Sequence, residues 1–282
     1  MTSNYERFKA FYKTASLWSG KLVDLEQFYL SNFKFDHLEQ TDSLNLPVIP
    51  QGTLLGKRAE YFFRFCIEQS SNYDLLLSNI QIFKGKVTIG ELDYMVTDRK
   101  TGTIIHIELV YKFYIYKPQI IGNEKSGIPL ELFKYQGPNG RDHLVRKLKH
   151  LIEHQLPLLY APETIDLLKN HHIDISKVRQ QVCFLAHVFI PRFMWSHNFE
   201  LINKNSIVGY YCSLSAFAKA ETSNIYFLPE KYAWKMKPQK LPISYHFTEI
   251  VDLAEASLQR GFSPLIWMQL EDLTFERFFI VK

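Results

Sequence analysis

The stretch KVTIGELDYMVTDRKTGTIIHIELVYKFYIY, residues 86–116, constrains the fold of this chain more than any other. β-Branched and aromatic residues fill both halves, and Asp98-Arg99-Lys100-Thr101-Gly102 separates them, which predicts two antiparallel strands around a turn. Alternation along the second strand puts Ile105, Ile107, Leu109, Tyr111 and Phe113 on one face. His106, Glu108, Val110 and Lys112 fall on the other, and Glu91 and Asp93 share a face of the first strand. Folding symmetrically about Lys100-Thr101 sets Asp93 opposite Glu108. Like charges opposed across a ladder weaken a sheet. A divalent cation between them removes that cost, because hard cations gather carboxylate oxygens. The pairing depends on register, and a bulge at Gly102 shifts it by one residue. The competing reading is a solvated acidic face; against it stand the apolar sequence around each acid and Lys112 on the face of Glu108.

At 282 residues the chain can form one large domain or two small ones. It reads as a single domain over 1–282, with a core at 51–190, a helical extension at 1–50 and an elaboration at 191–282. It shows no repeat, no low-complexity stretch and no clean linker. A composition 46% hydrophobic and 22% charged excludes a disordered chain. The net charge of +4 permits a polyanionic partner without demanding one. Cys66, Cys183 and Cys212 lie far apart in no metal-ligand spacing and read as reduced core residues. MTSNYERFKAFYK contains no apolar signal segment and no apolar run is long enough to span a bilayer, so a cytoplasmic protein with no membrane partner is expected.

Before the hairpin, YERFKAFYKTASLWSG and DLEQFYLSNF predict one or two helices, closed by Leu46-Pro47-Val48-Ile49-Pro50. Leu54–Gln69 has the spacing of an amphipathic helix, with Glu60 at the edge of the apolar stripe and Lys57, Arg58 and Arg64 on the outer side. Leu75–Phe83 reads as a strand entering the hairpin. After it come a polar loop, GNEKSGIP, an amphipathic piece, LELFKYQ, and a turn at Gly137-Pro138-Asn139-Gly140. Asp142–Leu156 predicts a helix capped by Asn139, with Leu144, Leu148, Leu151, Ile152 and Gln155 on one face. Arg141, Arg146, Lys147 and Lys149 make its surroundings basic, either as a solvated face or as phosphate contacts. Val182–Ile190 reads as a buried strand in which His187 is a hydrogen-bonded core residue. His171-His172 lack a third ligand. The lysine- and aromatic-rich segment 228–238 reads as a guarded sheet edge in preference to a stacking surface for a single strand. A helix over Thr248–Arg260 and strands over Leu265–Leu270 and Phe275–Val281 close the chain.

The order of helix with Glu60, strand, strand with Asp93, strand with Glu108, basic helix and buried strand resembles the αβββαβ core of the PD-(D/E)XK nuclease superfamily. GELDYM, HIELVYKFYIY and GPNGRDHLVRKLKHLIEHQLPL resemble more closely an uncharacterised bacterial family within it, domain of unknown function eighteen fifty-three. The resemblance implies an α/β fold with a mixed, restriction-endonuclease-like sheet flanked by extra helices and C-terminal strands. It implies a Mg²⁺- or Mn²⁺-dependent phosphodiesterase acting on nucleic acid, DNA favoured over RNA. Asp93 and Glu108 match the metal-binding acids, Glu60 the accessory helical glutamate, and Glu60 or Glu91 is the candidate for a second metal. Lys112 is the candidate lysine. The superfamily places that lysine two residues after the second acid, where this chain has Val110. Four strand residues span about 13 Å and two only about 6.6 Å. A lysine reaching back, a bulge, or a substitute such as Lys57 or Lys147 restores the geometry; otherwise the site is inactive. Lys57, Arg141, Arg146 and Lys147 are the candidate phosphate contacts. Gln155 either fixes substrate or water, or faces solvent. The rival readings are a non-catalytic scaffold that binds nucleic acid or protein, and a metal hydrolase for a smaller phosphate ester.

Overall fold

A computed structural model describes residues 3–34, 44–122, 127–220 and 223–282. In chain order the elements are α1 (Asn4–Tyr12), β1 (Lys21–Leu22), β2 (Leu25–Glu26), α2 (Leu55–Gln69), β3 (Tyr73–Lys84), β4 (Val87–Asp98), β5 (Ile104–Tyr116), β6 (Tyr135–Gln136) and α3 (Leu144–His150). There follow α4 (Pro162–Asn170), β7 (Val178–Pro191), β8 (Ile207–Ser213), α5 (Leu214–Phe217), β9 (Ile225–Phe227), α6 (Phe247–Gln259), β10 (Leu265–Gln269) and β11 (Phe275–Val281). Strands β3 to β11 belong to one large mixed sheet, and helices flank it. No described helix is long and apolar enough to cross a membrane. The chain divides into two compact units: a hairpin unit, Ser16–Tyr111 with Arg146–Leu185, and a C-terminal unit, Met1–Ala15 with Lys112–Val145 and Ala186–Lys282.

In the hairpin unit, β3 and β4 pair antiparallel from Tyr73↔Asp98 to Lys84↔Val87, with irregularities at Leu75/Leu77 and Ile82/Phe83. Strands β4 and β5 pair from Thr97↔Ile104 to Tyr94↔Ile107. Gly102 takes a left-handed φ of 69° in the turn, and no bulge follows it. The α2 stripe of Ala59, Phe62, Phe63, Cys66 and Ile67 is buried, with Phe63 and Tyr94 ring centroids 4.8 Å apart. Glu60 is fixed to this contact, because its carbonyl accepts from the Tyr94 hydroxyl at 2.8 Å.

The segment DLEQFYLSNF is not a helix. It forms β2 and then a short 3-10 turn, Leu30–Phe33. Its backbone finds a partner elsewhere: the N–H of Phe28 donates to the carbonyl of Val182 on β7 at 3.0 Å. Phe28 and Phe33 are buried anchors against Phe63 and Tyr73. Long-range pairing thus overrides the helical spacing of the aromatics.

In the C-terminal unit, β8 runs parallel to both β7 and β11, β10 pairs antiparallel with β11, and β9 is the outer strand beside β10. Helix α6 lays Ile250, Ala254 and Leu258 on one face of this sheet, over Tyr226, Ile266 and Phe278. Three expectations are corrected here. Asn139 does not cap α3; its side-chain oxygen accepts the N–H of Ser263 at 2.8 Å, and α3 begins at Leu144. The segment 228–238 is no solvated lysine fringe throughout, since Lys235 is 4% exposed and donates to the Lys112 carbonyl at 2.7 Å. Burial pushes the Lys235 amine well below the usual lysine range. His187 is buried as expected but its Nδ1 finds no hydrogen-bond partner, and burial holds its pKa well down. Of the loop GNEKSGIP, residues 123–126 lie outside the described residues.

Candidate active site

The pairing of β4 with β5 runs from Thr97↔Ile104 as far as Tyr94↔Ile107, and the next residues on the two strands are Asp93 and Glu108, close enough for the charge of Glu108 to act on Asp93. Asp93 Oδ2 accepts the main-chain N–H of Leu109 at 2.8 Å, and Oδ1 takes no hydrogen bond from a described residue. Burial pushes the Asp93 carboxyl up to about 8, and the charge of Glu108 pushes the same way. The Leu109 N–H opposes that shift; Glu60 adds to it and Lys147 works against it. Four charged side chains therefore share one electrostatic neighbourhood.

Glu108 is fully buried, and both its oxygens are held. Oε1 lies 3.1 Å from His106 Nε2, and Oε2 accepts from the Gln155 amide. The direction of the first bond follows from Gln180. Its Nε2 lies 2.8 Å from the Leu156 carbonyl, which can only accept, so this atom is the amide nitrogen. The same nitrogen is 3.0 Å from His106 Nδ1. Nδ1 is thus an acceptor, and the proton of the neutral imidazole sits on Nε2, aimed at Glu108.

Gln155 reaches Glu108 because its helix is not regular. After α3 the chain makes a π-helical turn, Leu151–Gln155, closed by the Leu156 N–H on the Leu151 carbonyl at 2.9 Å. Over eight α-helical residues a side chain would overshoot by about 80° beyond two full turns; the wider i→i+5 turn absorbs the excess. Lys147 and Gln155 then meet, the amine donating to Gln155 Oε1. The amide links an ammonium on one side to a buried carboxylate on the other.

The remaining expected residues are placed as follows. Glu60 Oε2 accepts from Lys57 at 2.5 Å and from Asn79 Nδ2 at 2.8 Å. The hydrogen bond to Glu60 raises the Lys57 pKa. Asn79 also donates to Glu91 Oε1 at 3.1 Å, which ties Glu60 to Glu91. Asn79 sits at a left-handed φ of 52°, a conformation asparagine tolerates better than most residues. Lys112 lies in the C-terminal unit and its amine pairs with Asp142 at 3.0 Å. Arg141 and Arg146 are exposed. His106, Gln180 and Asn79 were not expected at the site. Alternation already put His106 on the face of Glu108, whereas nothing in the spacing of Gln180 or Asn79 marks them.

The arrangement offers hard oxygens from a carboxylate pair whose mutual repulsion favours either a proton or a cation between them. Among the described residues no group of three or more His, Cys, Asp or Glu has the arrangement of a metal site. The acids are a pair and not a cage. That donor set fits Mg²⁺ or Mn²⁺, which commonly use one or two carboxylates and fill their coordination with water and substrate phosphate. No curated protein and no solved structure matches this chain. The family model described as Domain of unknown function (DUF1853) matches residues 11–278, and the chain belongs to that family.

Proposed function

We propose that the hairpin unit is a metal-dependent phosphodiesterase site of the PD-(D/E)XK kind, cleaving nucleic acid, DNA in preference to RNA. The observation that carries this reading is Asp93 lying within the electrostatic reach of the buried Glu108, with an amine brought to Glu108 through Gln155. The order α2, β3, β4, β5, α3, β7 supports it, as it contains the αβββαβ succession with β6 inserted before α3 and α4 after it. Asp93 and Glu108 would hold Mg²⁺ or Mn²⁺. When bound, the ion polarises a phosphoryl oxygen and lowers the pKa of the attacking water.

The chain's own residues prepare that step. His106 and Gln155 fix both oxygens of Glu108 before substrate arrives, so no reorganisation is needed at that carboxylate. Asp93, held protonated by burial and by the charge of Glu108, would have to release that proton to serve as a ligand, so its affinity for a cation would rise with pH. Lys147 occupies the role for which Lys112 was the candidate in the sequence: a positive charge that stabilises negative charge developing on phosphate. Exposed Arg146 gives salt-dependent backbone affinity. Glu60 and Glu91, joined through Asn79, flank the pair.

The test is cleavage of circular, linear and single-stranded DNA, and of RNA, by purified full-length chain with Mg²⁺ or Mn²⁺. Loss of substrate that depends on metal and disappears in Asp93→Ala and Glu108→Ala supports the proposal. Cleavage that survives Asp93→Ala overturns the site. Absence of cleavage by a folded chain favours the non-catalytic scaffold, a reading for which Val110 in the usual lysine place speaks.

A further inference from the structure

The C-terminal unit holds a set of polar groups that the acid pair does not use. A cavity of about 570 Å³ lies along β8 and β11, and Arg277 lines it together with Arg192, Trp195, Tyr210, Phe275 and Glu276. Arg277 donates from Nε to the Val208 carbonyl and from Nη1 to the Met236 carbonyl, both at 3.0 Å. Both acceptors are neutral. Among the described residues no carboxylate bonds to Arg277, and Nη2 donates to none of them. A guanidinium carries five N–H donors, so most of this fork is unspent.

Burial lowers the Arg277 pKa, but only to about 10, so the group stays charged at neutral pH. Lys235 and His187, both buried, are pushed down mainly by burial and in part by the charge of Arg277. The surroundings of Arg277 therefore lack negative charge. The acid on the same cavity, Glu276, is committed: Arg192 Nη2 lies 3.2 Å from its Oε1 and the Tyr210 hydroxyl 3.0 Å from its Oε2. Arg192 is in turn seated over the Tyr210 ring, 5.0 Å from its centroid. Arg277 lines the cavity only partly exposed, and an anion bound there would supply the counter-charge that no described carboxylate gives it.

We propose that this cavity binds a nucleoside monophosphate. The phosphate takes the unspent edge of Arg277, for which a planar fork and a tetrahedral oxyanion are matched. Trp195 and Phe275 supply apolar surface for the base. The volume lies in the range of small-molecule sites. A purely apolar ligand would leave Arg277 uncompensated. A triphosphate would bring more negative charge than one guanidinium neutralises, close to Glu276.

Titration calorimetry on the full chain tests this with adenosine 5′-monophosphate, adenosine, inorganic phosphate and ATP. The monophosphate is expected to bind saturably at one site, with adenosine, phosphate and ATP each at least about tenfold weaker. Trp195→Ala, at a residue 57% exposed and so outside the core, is expected to weaken binding at least about threefold. Arg277→Lys keeps the charge, loses the fork and is expected to weaken it about tenfold. Asp93→Ala is expected to bind the monophosphate unchanged, which separates this site from the acid pair. No saturable binding, adenosine or phosphate binding as tightly as the monophosphate, or a loss in Asp93→Ala with none in Trp195→Ala each overturn the proposal.

Discussion

Asp93 Oδ2 receives the Leu109 main-chain N–H at 2.8 Å, where a regular antiparallel ladder would supply a carbonyl. A side chain has replaced the backbone as the partner of the next strand. One carboxylate oxygen is thereby fixed against β5, and the Asp93 side chain becomes part of the sheet's own hydrogen bonding.

The first prediction concerns pH. Folded Asp93 keeps its proton up to about pH 8, whereas its ordinary carboxyl value is 3.8. Between those limits the folded chain binds the extra proton, so stability without divalent metal falls as pH rises, by up to about 1.4 kcal/mol per pH unit. Asp93→Asn removes the dependence and stabilises the chain above pH 8. Urea denaturation at pH 5.5 and 8.5 in chelator measures both effects. Mn²⁺ is expected to raise the melting temperature of the parent chain at pH 8.5 and not that of Asp93→Asn.

The second separates two lysines. Lys147 acts beside Glu108 through Gln155, while Lys112 is paired with Asp142. Lys147→Met is expected to reduce metal-dependent cleavage about 100-fold or more, with metal affinity changed far less. Lys112→Met is expected to stay within about threefold of the parent chain, as for loss of a half-exposed ion pair. A larger loss in Lys112→Met than in Lys147→Met refutes the assignment.

The third concerns the Gln180–His106–Glu108 chain of hydrogen bonds. Nitrogen NMR is expected to show His106 neutral and protonated at Nε2. Gln180→Leu removes the donor to Nδ1 and leaves the tautomer unfixed. His106→Ala takes away one of the two groups on Glu108, and about 10-fold to 100-fold weaker Mn²⁺ binding is expected, as for other residues that orient a metal ligand. An unchanged Mn²⁺ isotherm in His106→Ala would rule out this positioning role.

The fourth is a packing prediction. A Cβ on Gly90 would stand 2.6 Å from Leu158 Cδ2, so glycine in mid-strand here admits a neighbouring side chain. Gly90→Ala is expected to cost about 1–3 kcal/mol. In the double variant with Leu158→Ala the two losses should fall short of their sum, because the second substitution removes the atom that the first one strikes.

How much of this was legible in the sequence depends on the kind of interaction. The register of the β4–β5 hairpin as far as Tyr94↔Ile107 could be read because a strand alternates with period two and a short turn pins the pairing. Helix α2 and strand β7 were legible from local apolar spacing. Lys147 and Gln155 were expected on different faces of one regular helix, and a π-helical turn brings them together. No residue type in LIEHQ encodes that turn by itself. The bond from Gln180 to His106 joins residues 74 positions apart and depends on tertiary packing. DLEQFYLSNF misled for the same reason, as its backbone is satisfied by a distant strand. Lys235 misled because a lysine can be buried when a carbonyl takes its proton donor.

The wide turn at Leu151–Gln155 sets the terms on which this helix can change. Removing one residue there, or redesigning the segment toward ideal α-helix, would improve its local geometry and swing the amide off the carboxylate it serves. Thermostabilised variants selected for helix regularity should therefore lose the acid site first, and a length change of a single residue in this loop-free segment should be tolerated by the fold and not by the chemistry.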